Sequence, residues 1–177
     1  MSESNALETN QGFRLEYLNG NEPLFIDTTL EGAVKEEKET IERNAIMAIV
    51  KNPTTGKYLG LKWKKIDWKT LITGGVEEGQ TPEEAAREEI LQETGYKNLK
   101  LIKQLTTVHS KFFHGPKDVN RLAHFSVFYF ELQDDEQDAL SEEEREIHDL
   151  MWLDAEEMDT FGLLPAHSYS WNELKNA

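Results

Sequence analysis

Two glutamates four residues apart, Glu89 and Glu93, are the side chains best spaced to do chemistry. On a helix, residues at this spacing share a side, where like charges repel by roughly 0.2–0.5 kcal/mol. A divalent cation between them would remove that repulsion, because Mg²⁺ prefers carboxylate oxygens. The alternative is a solvated acidic helix face, since nearby positions are acidic as well: Glu83, Glu84 and Glu88.

The helix that must carry these glutamates has clear start and stop signals. Thr81 can accept from the exposed backbone donors, Pro82 suits the first helical position, and Glu84 completes a capping box. Gly95 suits the left-handed conformation that ends a helix. These signals predict a helix of about 13 residues, or roughly 20 Å.

The surrounding segment, residues 74–96, reads GGVEEGQTPEEAAREEILQETGY. It resembles the Nudix box, G-x5-E-x7-R-E-U-x-E-E-x-G-U, in which U is aliphatic. Five positions match the box: Gly74, Glu89, Ile90, Glu93 and Gly95. Four depart from it, namely Gln80 and Gln92 at glutamate positions, Glu88 at the arginine and Tyr96 at the last aliphatic position. The register is firm and the box is degenerate.

The resemblance implies a set of metal ligands for Mg²⁺ or Mn²⁺. Glu89 and Glu93 would be ligands and catalytic residues, with Glu93 the favoured ligand or base. Gln92 would be a weak ligand through its amide oxygen, and Thr73 would add its backbone carbonyl. Because two carboxylates replace the expected three, we predict a lowered metal affinity.

The resemblance also implies a further glutamate ahead of a tryptophan near the last strand. Trp152 is that tryptophan, so Glu146 is the best candidate catalytic residue, followed by Glu144 and Glu143. The acidic loop around them could equally be a solvated tether.

Candidate substrate-binding residues flank the box. The turn at Gly74 and Gly75 would let the backbone approach phosphates. In residues 61–71, LKWKKIDWKTL, tryptophans alternate with lysines. Trp68 could stack a base and Lys69 could meet a phosphate, or the tryptophans could close the core.

Two histidines, His109 and His114, flank a segment containing Lys111. A histidine here could act as a general base or, with Lys111, hold a phosphate, so His109 and Lys111 are candidate substrate ligands. The alternative is a pair of surface histidines. His124, on an aromatic segment, is predicted to be hydrogen-bonded and partly buried.

Composition limits the classes of protein that this chain can form. A chain of 177 residues suits one domain, predicted over residues 11–177 after a flexible polar start at residues 1–10. It has no cysteine, which fits a cytoplasmic protein, and no apolar run near the roughly 20 residues of a membrane span. The chain is expected to be a monomer or homodimer.

Charge is distributed unevenly. Residues 1–50 carry a net charge of −6, residues 51–121 carry +4, and residues 122–177 carry −13. An acidic body disfavours broad nucleic-acid binding. The cationic region surrounds the box, where an anionic small molecule would approach; ordinary solvated lysines are the alternative.

The apolar pattern predicts an α/β fold. Strands are expected at 13–18, 23–28, 44–50, 57–63, 99–108, 122–132 and 147–153. Short helices are expected at 155–161 and 168–175, and polar loops at 110–120 and 134–144. The strand at 44–50 should be covered on both faces. The resemblance, which spans roughly residues 42–162, implies an α/β/α sandwich with a mixed β-sheet.

The resemblance implies a metal-dependent hydrolase that cleaves a diphosphate linkage in a nucleoside diphosphate derivative. The alternative is a weak or inactive Nudix-fold binding module. The segment HSKFFHGPKDVNRLAHF is also similar to Nudix modules associated with aminoacyl-tRNA synthetases, which would link the module to tRNA or aminoacyl metabolism.

Overall fold

A computed structural model describes residues 12–177, so the predicted flexible segment 1–10 lies outside the described residues. The strands are β1 (Phe13–Leu18), β2 (Glu22–Asp27), β3 (Thr40–Asn52), β4 (Lys57–Trp63), β5 (Lys69–Thr70), β6 (Ile72–Gly75), β7 (Leu99–His114), β8 (Val119–Leu132) and β9 (His148–Leu153). The helices are α1 (Pro82–Thr94), α2 (Glu142–Ile147), α3 (Ala155–Thr160) and α4 (Pro165–Lys175).

All the described strands join one mixed sheet. Its order is β1-β2-β7-β8-β3-β4-β5, with β6 paired to β3 and β9 paired to β4. The parallel pair β3 and β8 forms the centre, in register from Thr40 beside Asn120 to Lys51 beside Glu131. Residues 46–50 of β3 are completely buried, which confirms a strand covered on both faces.

Helices cover the two faces of this centre. On one face, Ala86 and Ile90 of α1 pack with Ile46 and Phe130. On the other face, Met47 and Val127 pack with residues of the C-terminal helices, including Met158, Ala166 and Trp171. Adjacent strand residues point to opposite faces, so β3 serves both layers. The predicted mixed α/β fold is confirmed.

Helix α1 has the predicted boundaries. The Thr81 hydroxyl accepts from the Glu84 N–H, and the Glu84 carboxylate accepts from the Thr81 N–H, both at 3.2 Å. At the other end, Gly95 has a φ of 82° and its N–H donates to the Leu91 carbonyl at 2.8 Å. These caps hold Glu89 and Glu93 on an ordered helix.

The predicted loop at 110–120 is wrong over most of its length. Strand β7 continues to His114 and β8 begins at Val119, with Phe113 beside Asn120. Only the 3₁₀ turn Gly115–Lys117 separates them. The side chains of this segment show only a weak alternation of polar and apolar residues, so the sequence did not indicate strands. Pairing between β7 and β8 nevertheless satisfies the backbone hydrogen-bonding groups. The predicted loop at 134–144 also ends earlier than expected, because α2 begins at Glu142 with the Ser141 hydroxyl as its cap.

Candidate metal and substrate site

The first box glycine allows α1 to approach the sheet. A Cβ built on Gly74 would lie 2.1 Å from the side-chain Cδ of Glu89 and 2.5 Å from its Oε1. Gly74 pairs with Ile46, which faces the α1 layer of the core. Any larger residue at position 74 would therefore displace the Glu89 carboxylate.

Glu93 follows one turn later on α1. Its Oε2 is buried and has no hydrogen-bond partner among the described residues. Burial raises the pKa of Glu93 to about 9, and the negative charges of Glu89 and Glu144 contribute to that rise. Without a compensating cation, this carboxyl group is protonated at neutral pH.

The acidic segment before β9 supplies a third carboxyl group. The Gln92 Nε2 donates to the Glu144 Oε1 at 3.4 Å, and the Glu144 side chain is only 13% exposed. Helix α2 thus brings Glu144 to α1. Glu146, the first choice from the sequence, lines a groove beside Trp63 instead, as does Glu143. In the sequence, only the helical phase of α2 could have distinguished Glu144 from Glu146.

His148 contacts Glu144, and it was not among the candidate residues identified from the sequence. Its Nε2 lies 3.3 Å from the Glu144 Oε2, its side chain is buried, and its ring packs edge-on against Trp63. Burial lowers the pKa of His148. A neutral imidazole protonated at Nε2 can donate to Glu144 and orient that carboxylate.

The donor chemistry of this cluster fits a hard divalent cation. Burial raises the pKa of Glu89, and the charges of Glu88 and Glu144 raise it further, while Arg43 opposes the rise. A cation would relieve this repulsion and pair with the orphaned Glu93 oxygen. Within residues 12–177, no three Asp, Glu, His or Cys side chains are already converged as metal ligands. The carboxylates would therefore have to close around the ion.

Two departures from the box contact each other. The Gln80 Nε2 donates to the Glu88 carboxylate, and the Gln80 Oε1 accepts from the Glu77 N–H at 3.0 Å. In the consensus these positions carry a glutamate and an arginine, whereas this chain has an amide–carboxylate pair. Arg87 does not substitute for that arginine, because it bonds Glu83 and the Leu99 carbonyl, each at 3.0 Å.

A groove of about 370 Å³ lies beside helix α2. It is lined by Trp63, Lys65, Ile66, Glu143, Glu146 and Ile147. The Trp63 Nε1 donates to the Thr70 hydroxyl at 2.9 Å, so this ring is fixed. Trp68 is 43% exposed and lies edge-on to Trp63 with ring centres 6.0 Å apart. Trp63 therefore closes the sheet end, while Trp68 is accessible to a ligand.

Other sequence candidates lie in different surroundings. The Lys69 Nζ lies 5.6 Å from the centre of the Phe161 ring, near the start of the C-terminal helices. Lys111 lies in β7, beside Leu122 of β8. Thr73, Gly74 and Gly75 line a smaller pocket of about 160 Å³.

His109 belongs to a hydrogen-bonded row across four strands. Its Nε2 lies 2.7 Å from the Glu22 Oε1, and its Nδ1 lies 2.6 Å from the His124 Nδ1. The His124 Nε2 lies 2.8 Å from the Glu42 Oε1. His109 is buried, so the expectation of a surface histidine is wrong there, and the prediction for His124 is confirmed. Both ring nitrogens of His109 are occupied within the fold.

The family model of the NUDIX domain matches residues 41–173. This chain belongs to the Nudix family. The match covers the box, the acidic segment and the strands on both sides of them. No curated protein matches the chain significantly.

Solved structures share the fold. The E. coli dihydroneopterin triphosphate pyrophosphohydrolase is 22% identical, with a TM-score of 0.60 over 77% of this chain and 99% of its own. A MutT protein from Methanosarcina mazei Go1 is 19% identical, with a TM-score of 0.57 over 80% and 97%. A MutT NUDIX hydrolase from Burkholderia pseudomallei is 17% identical, with a TM-score of 0.52 over 76% and 98%. At these identities the likeness shows the fold.

None of the helices in residues 12–177 is both long and apolar enough to span a membrane.

Proposed function

We propose that this protein is a metal-dependent pyrophosphohydrolase that cleaves a diphosphate linkage in a nucleoside diphosphate derivative. The observation that carries the proposal is the buried, unpartnered Oε2 of Glu93 beside the carboxyl groups of Glu89 and Glu144. Buried polar groups without partners and carboxyl groups with strongly raised pKa values cluster at functional sites. Membership of the Nudix family supports a pyrophosphate-cleaving reaction.

The residues that would hold Mg²⁺ or Mn²⁺ are Glu89, Glu93 and Glu144, with Gln92 as a neutral ligand and Thr73 as a backbone ligand. When bound, such an ion polarises a phosphoryl oxygen and lowers the pKa of water. His148 is a positioning residue, because it touches only Glu144 among these groups. The Glu93 Oε2 is the atom best placed to accept or hold a proton.

The groove beside Trp63 would receive the nucleoside. Its volume of about 370 Å³ is in the range of small-molecule sites. The exposed ring of Trp68 can stack on a base, and the Lys65 ammonium group at the groove can meet a phosphate. Gly74 and Gly75 end strand β6 instead of forming the predicted turn, and they line the smaller pocket, where the diphosphate would approach the backbone.

The test is a panel of nucleoside diphosphate derivatives assayed with Mg²⁺ and with Mn²⁺ for products that contain phosphate. We expect turnover of at least one compound, loss of at least 100-fold in Glu93→Gln, and unchanged turnover in the control Glu156→Gln. Glu156 is an exposed carboxylate on α3. Equal activity of the Glu93 variant and the wild type would overturn the assignment.

A second candidate function is a Nudix-fold binding module without hydrolytic activity. It is favoured by the carboxylates within residues 12–177 not being converged on a metal position, and by Gln92 standing in place of a charged ligand. In that case a ligand would bind in the groove, quench Trp68 fluorescence and remain intact. A link to tRNA or aminoacyl metabolism belongs to this candidate.

A further inference from the structure

The smaller pocket lies at the end of β6 and is lined by Arg43, Arg121, Phe112, Phe125 and the β6 glycines; we call it the arginine pocket. We propose that the arginine pocket binds a phosphate monoester carried by the substrate, in addition to the diphosphate that is cleaved. This inference rests on the proposed function, because it assigns the pocket to the same substrate.

Neither arginine of this pocket, Arg43 or Arg121, is neutralised by a direct ion pair among the described residues. The Arg121 Nε is buried and has no hydrogen-bond partner there. A buried, charged donor without a hydrogen-bond partner is unfavourable for the fold, so an anion is the natural partner. The net charge of −15 makes two unpaired cations more notable.

His114 shows that positive charge converges here. Burial lowers the pKa of His114, and the charges of Arg121, Lys117 and Arg43 lower it further. Its Nδ1 is buried without a partner in the described residues. The region therefore combines two positively charged guanidinium groups with a neutral imidazole that can still form a hydrogen bond.

The arginine pocket is connected to the carboxylate cluster. A Cβ built on Gly75 would lie 2.0 Å from the Arg43 Nη2, so this guanidinium lies directly against the glycine strand. The neighbouring Gly74 touches Glu89 on the other side of that strand. The charge of Arg43 acts on the Glu89 carboxyl. A substrate lying across β6 can thus reach both.

Size and charge select the chemical class. A volume of about 160 Å³ is below the range of whole-ligand sites, so the pocket takes a single group. A phosphate monoester carries a charge of about −1.5 to −2 at pH 7 and three acceptor oxygens. The paired N–H donors of each guanidinium group can bond two phosphate oxygens at once. A carboxylate, by contrast, would neutralise only one of the two cations.

The test uses phenyl phosphate as the probe, with benzoate and phenol as matched compounds. Binding is followed through the Nε–H signals of the arginines in nitrogen–proton NMR spectra, recorded on the Glu93→Gln chain. We expect phenyl phosphate to shift the Arg43 and Arg121 signals, and benzoate to bind at least tenfold more weakly. Arg121→Gln and Arg43→Gln should each weaken phenyl phosphate binding about tenfold or more, as for loss of a charged hydrogen bond.

Arg14→Gln is the control, because Arg14 is an exposed residue paired with Glu16 on β1. The Arg14→Gln substitution should leave the binding of phenyl phosphate unchanged. Equal binding of benzoate, shifts by phenol alone, or no shift at 20 mM probe (a concentration of roughly twenty times a millimolar Kd) would overturn the inference. Because the readout needs no turnover, phosphate binding without hydrolysis would refute only the proposed function, and hydrolysis without phosphate binding would refute only the arginine pocket.

Discussion

At the scale of single residues, the burial of Glu93 makes the ionised form of this carboxyl group unfavourable in the folded state. The pKa of Glu93 rises from an ordinary 4.5 to about 9, mainly through burial. The folded state therefore keeps a proton that the unfolded state loses above pH 4.5. Stability falls as pH rises between these two values, by ~1.4 kcal/mol per pH unit from this group.

Glu93→Gln removes that titration. In EDTA, we expect the variant to match the wild type near pH 4.5 and to exceed its unfolding free energy at pH 8 by about 3 kcal/mol or more. Urea unfolding at the two pH values measures the difference. A variant whose advantage is the same at both values would show that Glu93 does not titrate in this range.

Gln92 is the neutral member of the proposed set of metal ligands. Its amide now donates to Glu144, so Gln92→Glu replaces a hydrogen bond by a third carboxylate on α1. We expect Mn²⁺ to bind about tenfold more tightly, because ligand charge sets affinity for hard cations. Isothermal titration beside a product assay checks this.

Faster turnover with tighter Mn²⁺ supports the hydrolase, and tighter Mn²⁺ without turnover supports the binding module. Leu91→Gln is a suitable control, since Leu91 is exposed on α1 and its replacement by glutamine adds no charge. Unaltered affinity in Gln92→Glu would mean that residue 92 does not reach the ion.

At the scale of elements, the contact between Gln80 and Glu88 joins the box loop to α1. Glu88→Arg alone puts a guanidinium beside an amide that now donates to a carboxylate. We therefore expect it to destabilise the protein by about 1 kcal/mol. Adding Gln80→Glu should restore that stability by forming the consensus ion pair.

A double-mutant cycle on thermal or urea unfolding measures the coupling between the two positions. We expect a favourable coupling of about 0.5–1 kcal/mol, since the pair is exposed. Additive effects of the two substitutions would contradict the contact. The same variants test whether an arginine at position 88 raises turnover by orienting Glu89.

At the scale of the whole molecule, His167 ties the C-terminal helix to the sheet. Its Nδ1 accepts from the Leu71 N–H at 3.0 Å, and burial lowers its pKa to about 4. The unfolded chain takes up a proton below the ordinary value of 6.5, whereas the folded chain does so only near 4. This contribution to stability is complete above pH 6.5 and is lost as pH falls toward 4, at ~1.4 kcal/mol per unit.

His167→Gln should flatten that acid loss, because its amide oxygen can accept from Leu71 and does not titrate. The measurement is the unfolding free energy of both chains at pH 4.5, 5.5 and 6.5, read as a difference so that the opposite trend from Glu93 cancels. Parallel profiles for the two chains would show that protonation of His167 does not weaken the fold.

Local sequence determined the box helix and the central strand. Thr81, Pro82 and Gly95 specify the ends of α1 through neighbouring backbone groups, and the period of 3.6 residues puts Glu89 and Glu93 together. The run at residues 46–50 predicted a strand buried on both faces because no polar side chain interrupts it. Such features depend on contacts within a few residues, which a sequence displays directly.

Tertiary structure decided which distant side chains join the site. Glu144 rather than Glu146 reaches Gln92, since the phase of the short helix α2 and the contact with His148 select it. Arg43 and Arg121 meet only because β3 and β8 pair in parallel and β6 ends in glycines. These choices follow from strand register and burial, which are properties of the packed chain, so the sequence by itself determined the helix and its glutamates while the fold determined their partners.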